Sequence, residues 1–290
     1  MPPTKPSRRR LGREALRAWY APRRGAYPWR GTRDPYAIWV SEVMLQQTQA
    51  ARVVPAYRSF LRRYPTVRAL AASPRRDVVA EWGGLGYNRR AVRLSEAARA
   101  IVRDHGGRIP RAKDELLELP GVGPYTAAAV ASMRFGEPIA VVDTNVRRVV
   151  ARVHLGIEGH EVSSTDISTL ADAWLDREDP VTWNQAVMYL GREVCRPNPK
   201  CDVCPLAGVC RFRLSGAVAR RGPRSQGPFE GSSRQVRGAV VSALRSHPWL
   251  TPAHLASEIG FPVDRVEAAI QALAVDGLVE VEAGCVRLAS

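Results

Sequence analysis

The chain has 290 residues, and its 43 lysines and arginines against 28 aspartates and glutamates give a formal net charge of +15. A balance this basic favours a polyanionic partner, nucleic acid before acidic membrane. No apolar run reaches the roughly 18 residues of a membrane helix, and MPPTKPSRRRLG lacks the apolar centre of a secretory signal.

Residues 1–10 read as a disordered basic arm. From Leu11 to about Arg213 the pattern is helical almost throughout, with short Gly/Pro punctuation and few stretches of period two, so the fold class expected is all-α. Asp34-Pro35 sets an N-cap and a proline at the first helical position. A single apolar helix is expected to follow over YAIWVSEVMLQQTQAARVV. On it Glu42 shares a face with Ile38, Trp39, Leu45 and Gln46. A carboxyl among apolar neighbours is desolvated, which raises its pKa and suits it to donate a proton; an ordinary half-exposed helix glutamate is the alternative. Further helices are expected near 58–64, 75–82, 88–104 and 114–118.

The stretch LPGVGPYTAAA reads as a tight turn opening a helix over 124–134, a geometry that can aim backbone N–H groups at a phosphate or merely join two helices. Val146, Val149, Val150 and Val153 form an i, i+3, i+4, i+7 stripe, so a helix over 144–154 starts at or just after Asp143. There a carboxylate is favoured in its charged form, as an N-cap or as something more. Helices near 166–176 and 182–192 follow. Cys195, Cys201, Cys204 and Cys210 then crowd into C-x5-C-x2-C-x5-C. With no secretion signal this reads as a metal site, for zinc or an iron–sulfur cluster, and one short pair with wide outer gaps suits a [4Fe–4S] cubane better than zinc. Residues 214–234, rich in Gly, Pro, Ser and Arg, read as a linker. Residues 235–290 read as three helices and two strands turning at Ala283-Gly284, a winged-helix-like module whose third helix could enter a major groove, although it carries Asp264, Glu267 and Asp276 against Arg265.

Glu42 and Asp143 have surroundings that push two carboxyl pKa values apart. Glycosidic bond cleavage needs such a pair, one to protonate the leaving group and one to support an oxocarbenium-like sugar.

Taken in order, SEVMLQQTQ, LPGVGPYTAAAV, VVDTNVRRV and the four-cysteine loop resemble the adenine DNA glycosylase (MutY) family of the endonuclease III superfamily, over about residues 11–213. The resemblance implies a helix-hairpin-helix fold around residues 116–130 with a [4Fe–4S] loop. It implies that the Gly121-Val122-Gly123 turn donates amides to a DNA phosphate and that Glu42 protonates a flipped adenine at N7. Asp143 would stabilise the sugar cation, with Asn145 and Tyr125 orienting the site. Trp29, Arg30, Leu45 and Gln185 match positions lining the base pocket; Gln47 and Tyr87 match residues that wedge into the duplex. Tyr125 stands where strand-cutting relatives carry a Schiff-base lysine, and the chain's three lysines, Lys5, Lys113 and Lys200, lie outside the hairpin turn. A monofunctional, monomeric, cytoplasmic (nucleoid-associated) enzyme acting on mispaired double-stranded DNA is therefore expected.

The sequence departs from the family in four places. The first cysteine gap is one residue short, Asn88 stands where a second tyrosine is common, Tyr189 where aspartate is, and Thr144 where glycine is. The segment 235–290 is also too short for the usual MutT-like domain. Removal of mismatched thymine, uracil or hypoxanthine is thus the alternative reaction, and a non-catalytic DNA-binding regulator the alternative of another class, one that would need neither carboxyl.

Overall fold

A computed structural model describes residues 7–25, 27–220, 222 and 227–290. These residues form fifteen helices longer than a single 3-10 turn and one two-stranded sheet. Contacts divide the chain into two compact units: residues 1–38, 111–117 and 123–223, and residues 39–110, 118–122 and 224–290. The units therefore do not follow the linear segments expected from the sequence. The first helical stretch is shared out, and the C-terminal module clusters with residues 39–110.

In the first unit, helix α1 (Arg8–Tyr20) starts inside the expected basic arm. Ser7 caps it by accepting from Arg10 N, and Trp174 Nε1 donates to the Arg9 carbonyl at 3.3 Å, so residues 7–10 are helix; residues 1–6 lie outside the described residues. Helix α2 (Pro35–Leu45) begins behind Asp34, whose carboxylate accepts from Tyr36 N at 2.9 Å. Helices α7 (Lys113–Leu117) and α8 (Pro124–Phe135) flank the expected turn. Helix α9 (Thr144–His154) buries its valine stripe, as its period demands, against α10 (Ser164–Trp174) and α11 (Pro180–Glu193). Trp174 is the hub of that core, edge-on to Trp183 and to His154 at 5.4 and 4.8 Å. A short α12 (Arg211–Leu214) packs on α9 after the cysteine loop.

In the second unit α2 gives way to α3 (Ala50–Arg63), α4 (Val67–Ala72), α5 (Arg75–Trp82) and α6 (Arg89–Asp104). The single helix expected over 36–54 is broken between Leu45 and Ala50 because Gln47 takes a left-handed backbone, φ 55°. The apolar period continues on both sides of the break, which is why the pattern alone did not reveal it. The short α4 had no strong periodic signal. Helices α13 (Ser233–Ser246), α14 (Pro252–Ile259) and α15 (Val263–Val275) pack on one another, and β1 (Val279–Glu282) pairs antiparallel with β2 (Cys285–Leu288). The two-residue turn Ala283-Gly284 has φ of 48° and 75°, the positive pair a tight hairpin needs. Helix α13 starts two residues inside the expected linker, capped by Ser232.

His154 is held neutral. Burial, aided by the nearby positive charges of Arg9, Arg211 and Arg8, pushes its pKa down to about 4. A folded pKa below the unfolded value of about 6.5 gives stability that is full above pH 6.5 and lost as pH falls toward 4. Urea unfolding at stepped pH should show His154→Phe losing less stability than the wild type over this window, by about 2–3 kcal/mol. Parallel losses in the two proteins would show that this imidazole is not the group responsible.

Candidate active site

The second unit carries Glu42, Leu45, Gln47, Tyr87, Gly121 and Val122. Glu42 sits near the end of α2 and is only 2% exposed, as its apolar face requires, while Leu45 one turn on is half-buried. Beyond α2, Gln47 and Tyr87 are exposed, and both have positive φ, 55° and 49°. For residues other than glycine this conformation is strained, by about 1–3 kcal/mol.

One side chain holds both turns. The Arg90 guanidinium donates to the carbonyls of Val43, Met44 and Gln46 at 2.8, 2.9 and 2.6 Å, to Thr48 Oγ1 at 3.0 Å and to the Gly86 carbonyl at 3.0 Å. It thereby caps the negative end of α2. It also lies over the rings of Trp82 and Tyr87, at 5.2 and 5.6 Å. Burial lowers its pKa to about 10, which leaves it charged at neutral pH. No motif marked Arg90 in the sequence; its role comes from neighbours more than forty residues away in the chain.

The hairpin turn differs in detail from expectation. Val122 N donates to the Leu119 carbonyl at 3.1 Å, so its amide is used within the turn rather than offered to a phosphate. Gly121 and Gly123 are the exposed members of the turn. Gly121 has φ 73°, and a Cβ there would lie 2.5 Å from Arg93 Cβ, so both backbone and space require glycine.

The first unit carries Trp29, Arg30, Gly123, Tyr125, Asp143, Asn145, Gln185 and the cysteines. Gly123 precedes α8, and Tyr125 is the second residue of that helix, half-buried against the core. Trp29 is buried and stacks on Tyr27 at 5.0 Å. Arg192 lies over both Tyr27 and Tyr189. Arg30 donates to the sulfurs of Met133 and Met188, and Gln185 accepts from the Tyr20 hydroxyl at 3.2 Å.

Asp143 is the N-cap of α9. One carboxylate oxygen accepts from Val146 N at 2.6 Å and the other from Asn145 Nδ2 at 2.9 Å. Arg148 then donates to Asn145 Oδ1 at 2.9 Å and to the carbonyls of Gly191 and Cys195, both at 2.7 Å. A continuous chain of bonds thus links Asp143 to the first cysteine.

All four cysteines of the 195–210 loop line one cavity. Among the described residues, no group of three or more metal-ligating side chains is gathered for a single ion. Arg152, 1% exposed, pairs with Glu158 at 2.7 Å, approaches Cys195 Sγ at 3.6 Å, and donates to the carbonyls of Arg196 and Pro197 at 2.7 and 2.9 Å. Burial pushes the Cys195, Cys204 and Cys210 thiols up, Cys204 to about 12, while Arg152 draws Cys195 the other way. A buried cation facing thiols suits ligands that must become anionic. The sequence held a signal here, an arginine inside the apolar run VVARVH.

The family model of the HhH-GPD superfamily base excision DNA repair protein matches residues 40–169. The chain is 41% identical over 271 residues to the adenine DNA glycosylase of Mycolicibacterium smegmatis, covering 91% of each. A solved thermostable thymine-DNA glycosylase superposes with a TM-score of 0.67 at 31% identity, covering 72% of this chain and 97% of that one. A non-covalent endonuclease III–DNA complex shares the fold, with a TM-score of 0.63 at 24% identity over 73% of this chain and 99% of that one.

Gly191 is what lets α11 approach Asn145: a Cβ there would lie 2.7 Å from Asn145 Cβ and 3.0 Å from its carbonyl oxygen. Gly191→Ala should lower unfolding free energy by about 1–3 kcal/mol in urea melts. An unchanged midpoint would mean the helices part at no cost.

Proposed function

The chain belongs to the adenine DNA glycosylase family of the HhH-GPD base excision DNA repair superfamily, and we propose that it hydrolyses the N-glycosidic bond of adenine mispaired with guanine or 8-oxoguanine, without cutting the strand. The observation that carries the reading is Glu42, a carboxyl 2% exposed at the end of a helix whose following turn is pinned in a strained form. Exclusion of water favours retention of a carboxyl proton until a base arrives to accept it.

In this reading Gln47 and Tyr87 enter the duplex and help to extrude the adenine. Trp29, Arg30, Leu45 and Gln185 line its pocket, and Glu42 protonates N7. As the bond breaks, positive charge develops on the sugar. Asp143, its two oxygens fixed by Val146 N and Asn145, supplies the opposing negative charge. Tyr125 takes the place of an amine nucleophile, so no Schiff base forms and water completes the reaction. The exposed glycines of the hairpin turn, Gly121 and Gly123, receive a phosphate; Val122 contributes shape rather than its amide. Residues 11–213 supply the chemistry and 235–290 a winged-helix-like module.

Cys195, Cys201, Cys204 and Cys210 hold a [4Fe–4S] cluster, supported by their shared cavity and by the buried Arg152 beside Cys195. The cluster supplies a brace for the loop, not a reacting group. The purified protein should absorb near ~400 nm with about four irons per chain. A colourless protein with one zinc would overturn the assignment.

The likeness to a thymine-DNA glycosylase structure supports a second reading, excision of thymine or uracil opposite guanine. Duplexes carrying A:G, A:8-oxoG, T:G, U:G and hypoxanthine pairs, scored by alkali cleavage, separate the two. Adenine release is expected, with no covalent borohydride adduct, and Glu42→Gln should slow it by at least about 100-fold while binding persists. Activity on T:G alone would replace the first reading by the second.

A further inference from the structure

The second unit contains a cleft of about 940 Å³ whose walls come from two parts of the sequence. One wall holds Gln47, Tyr87 and the hairpin residues Gly121 and Val122; the other is α13 of the C-terminal module, with Arg234, Arg237 and Arg245. Arginines line the barrel wall too, whereas Asp276 is the only acidic residue in the lining. That aspartate is neutralised by Arg237 and by Arg89 at 3.4 Å.

The same contacts take the third helix out of play. Asp276 closes the C-terminal end of α15, and the next carbonyl, Gly277, accepts from Arg75 at 3.4 Å. At its other end α15 presents Asp264 in the first turn, and Arg265 there is engaged with the Gly231 carbonyl at 2.6 Å. A helix docked at one end and acidic at the other is a poor reader of a major groove.

We propose that the C-terminal module binds DNA through α13 rather than α15, as a sequence-independent clamp on the sugar–phosphate backbone running from the hairpin turn past Tyr87. This rests on the DNA glycosylase reading above. Arg245 is exposed beside Gly83, and Arg234 stands at the other end of the helix, about three turns away, so the two suit successive phosphates of one strand. The occupant is a polyanion because the cleft is cationic on both faces, and a DNA backbone because wedge and hairpin residues share its walls.

The test measures affinity of the full chain for a short undamaged duplex between about 50 and 200 mM salt. Arg234→Gln/Arg245→Gln should flatten the log K against log[salt] slope by about 1.8, that is 0.9 per phosphate released. Arg234→Lys/Arg245→Lys should keep the slope, which separates charge from packing. Arg265→Gln/Arg287→Gln, on α15 and the hairpin, should leave it unchanged. A wild-type slope in the α13 glutamine pair, or flattening only in the α15 pair, overturns the inference while leaving the glycosylase reading intact. A wild-type protein that excises no base from any of the mispaired duplexes removes that reading instead.

Discussion

The arrangement of the second unit depends on one buried cation. Gln47 and Tyr87 occupy a backbone region that costs a non-glycine residue about 1–3 kcal/mol each. Hydrogen bonds from a charged donor are worth about 1.5–3 kcal/mol apiece, and Arg90 makes five to the carbonyls and hydroxyl around those turns. The balance explains how two strained turns persist side by side. It also explains why α2 stops at Leu45: its last carbonyls are satisfied by a guanidinium instead of a further helical turn.

The first unit uses the same device twice. Arg148 joins Asn145, Gly191 and Cys195, and Arg152 joins Glu158 to the cysteine loop. Both arginines sit on α9, the helix that Asp143 caps. The carboxylate assigned to the sugar cation and the loop assigned to the cluster are therefore fixed to one rigid element. The metal site need not touch substrate to matter for its geometry.

Local chemistry made much of this legible in the sequence. The valine stripe of α9, the Asp34 and Asp143 caps, the glycine-bracketed hairpin turn and the Ala283-Gly284 turn each follow from period or backbone demands within a few residues. Burial of Glu42 followed from its apolar face. What the sequence hid was non-local. The break at Gln47 interrupts no hydrophobic period, and the reason for it, Arg90, lies forty residues on. The inner roles of Arg148 and Arg152 looked like ordinary helix charges, although the apolar setting of Arg152 was a clue. The loss of the Val122 amide to Leu119 is a turn-level detail that composition cannot carry. The early start of α1 came from Trp174, a partner far along the chain.

The grip of Arg148 and Arg152 on the cysteine loop ends at Pro197, and the Lys200 amide closes back on the Val194 carbonyl at 3.0 Å. The shortened first cysteine gap falls within this small closed ring. Chain length can change between Pro197 and Lys200 without displacing the carbonyls that anchor α9. The loop is thus tolerant of deletion at its tip and intolerant at its base, and a family can vary one without retuning the aspartate at the head of the helix.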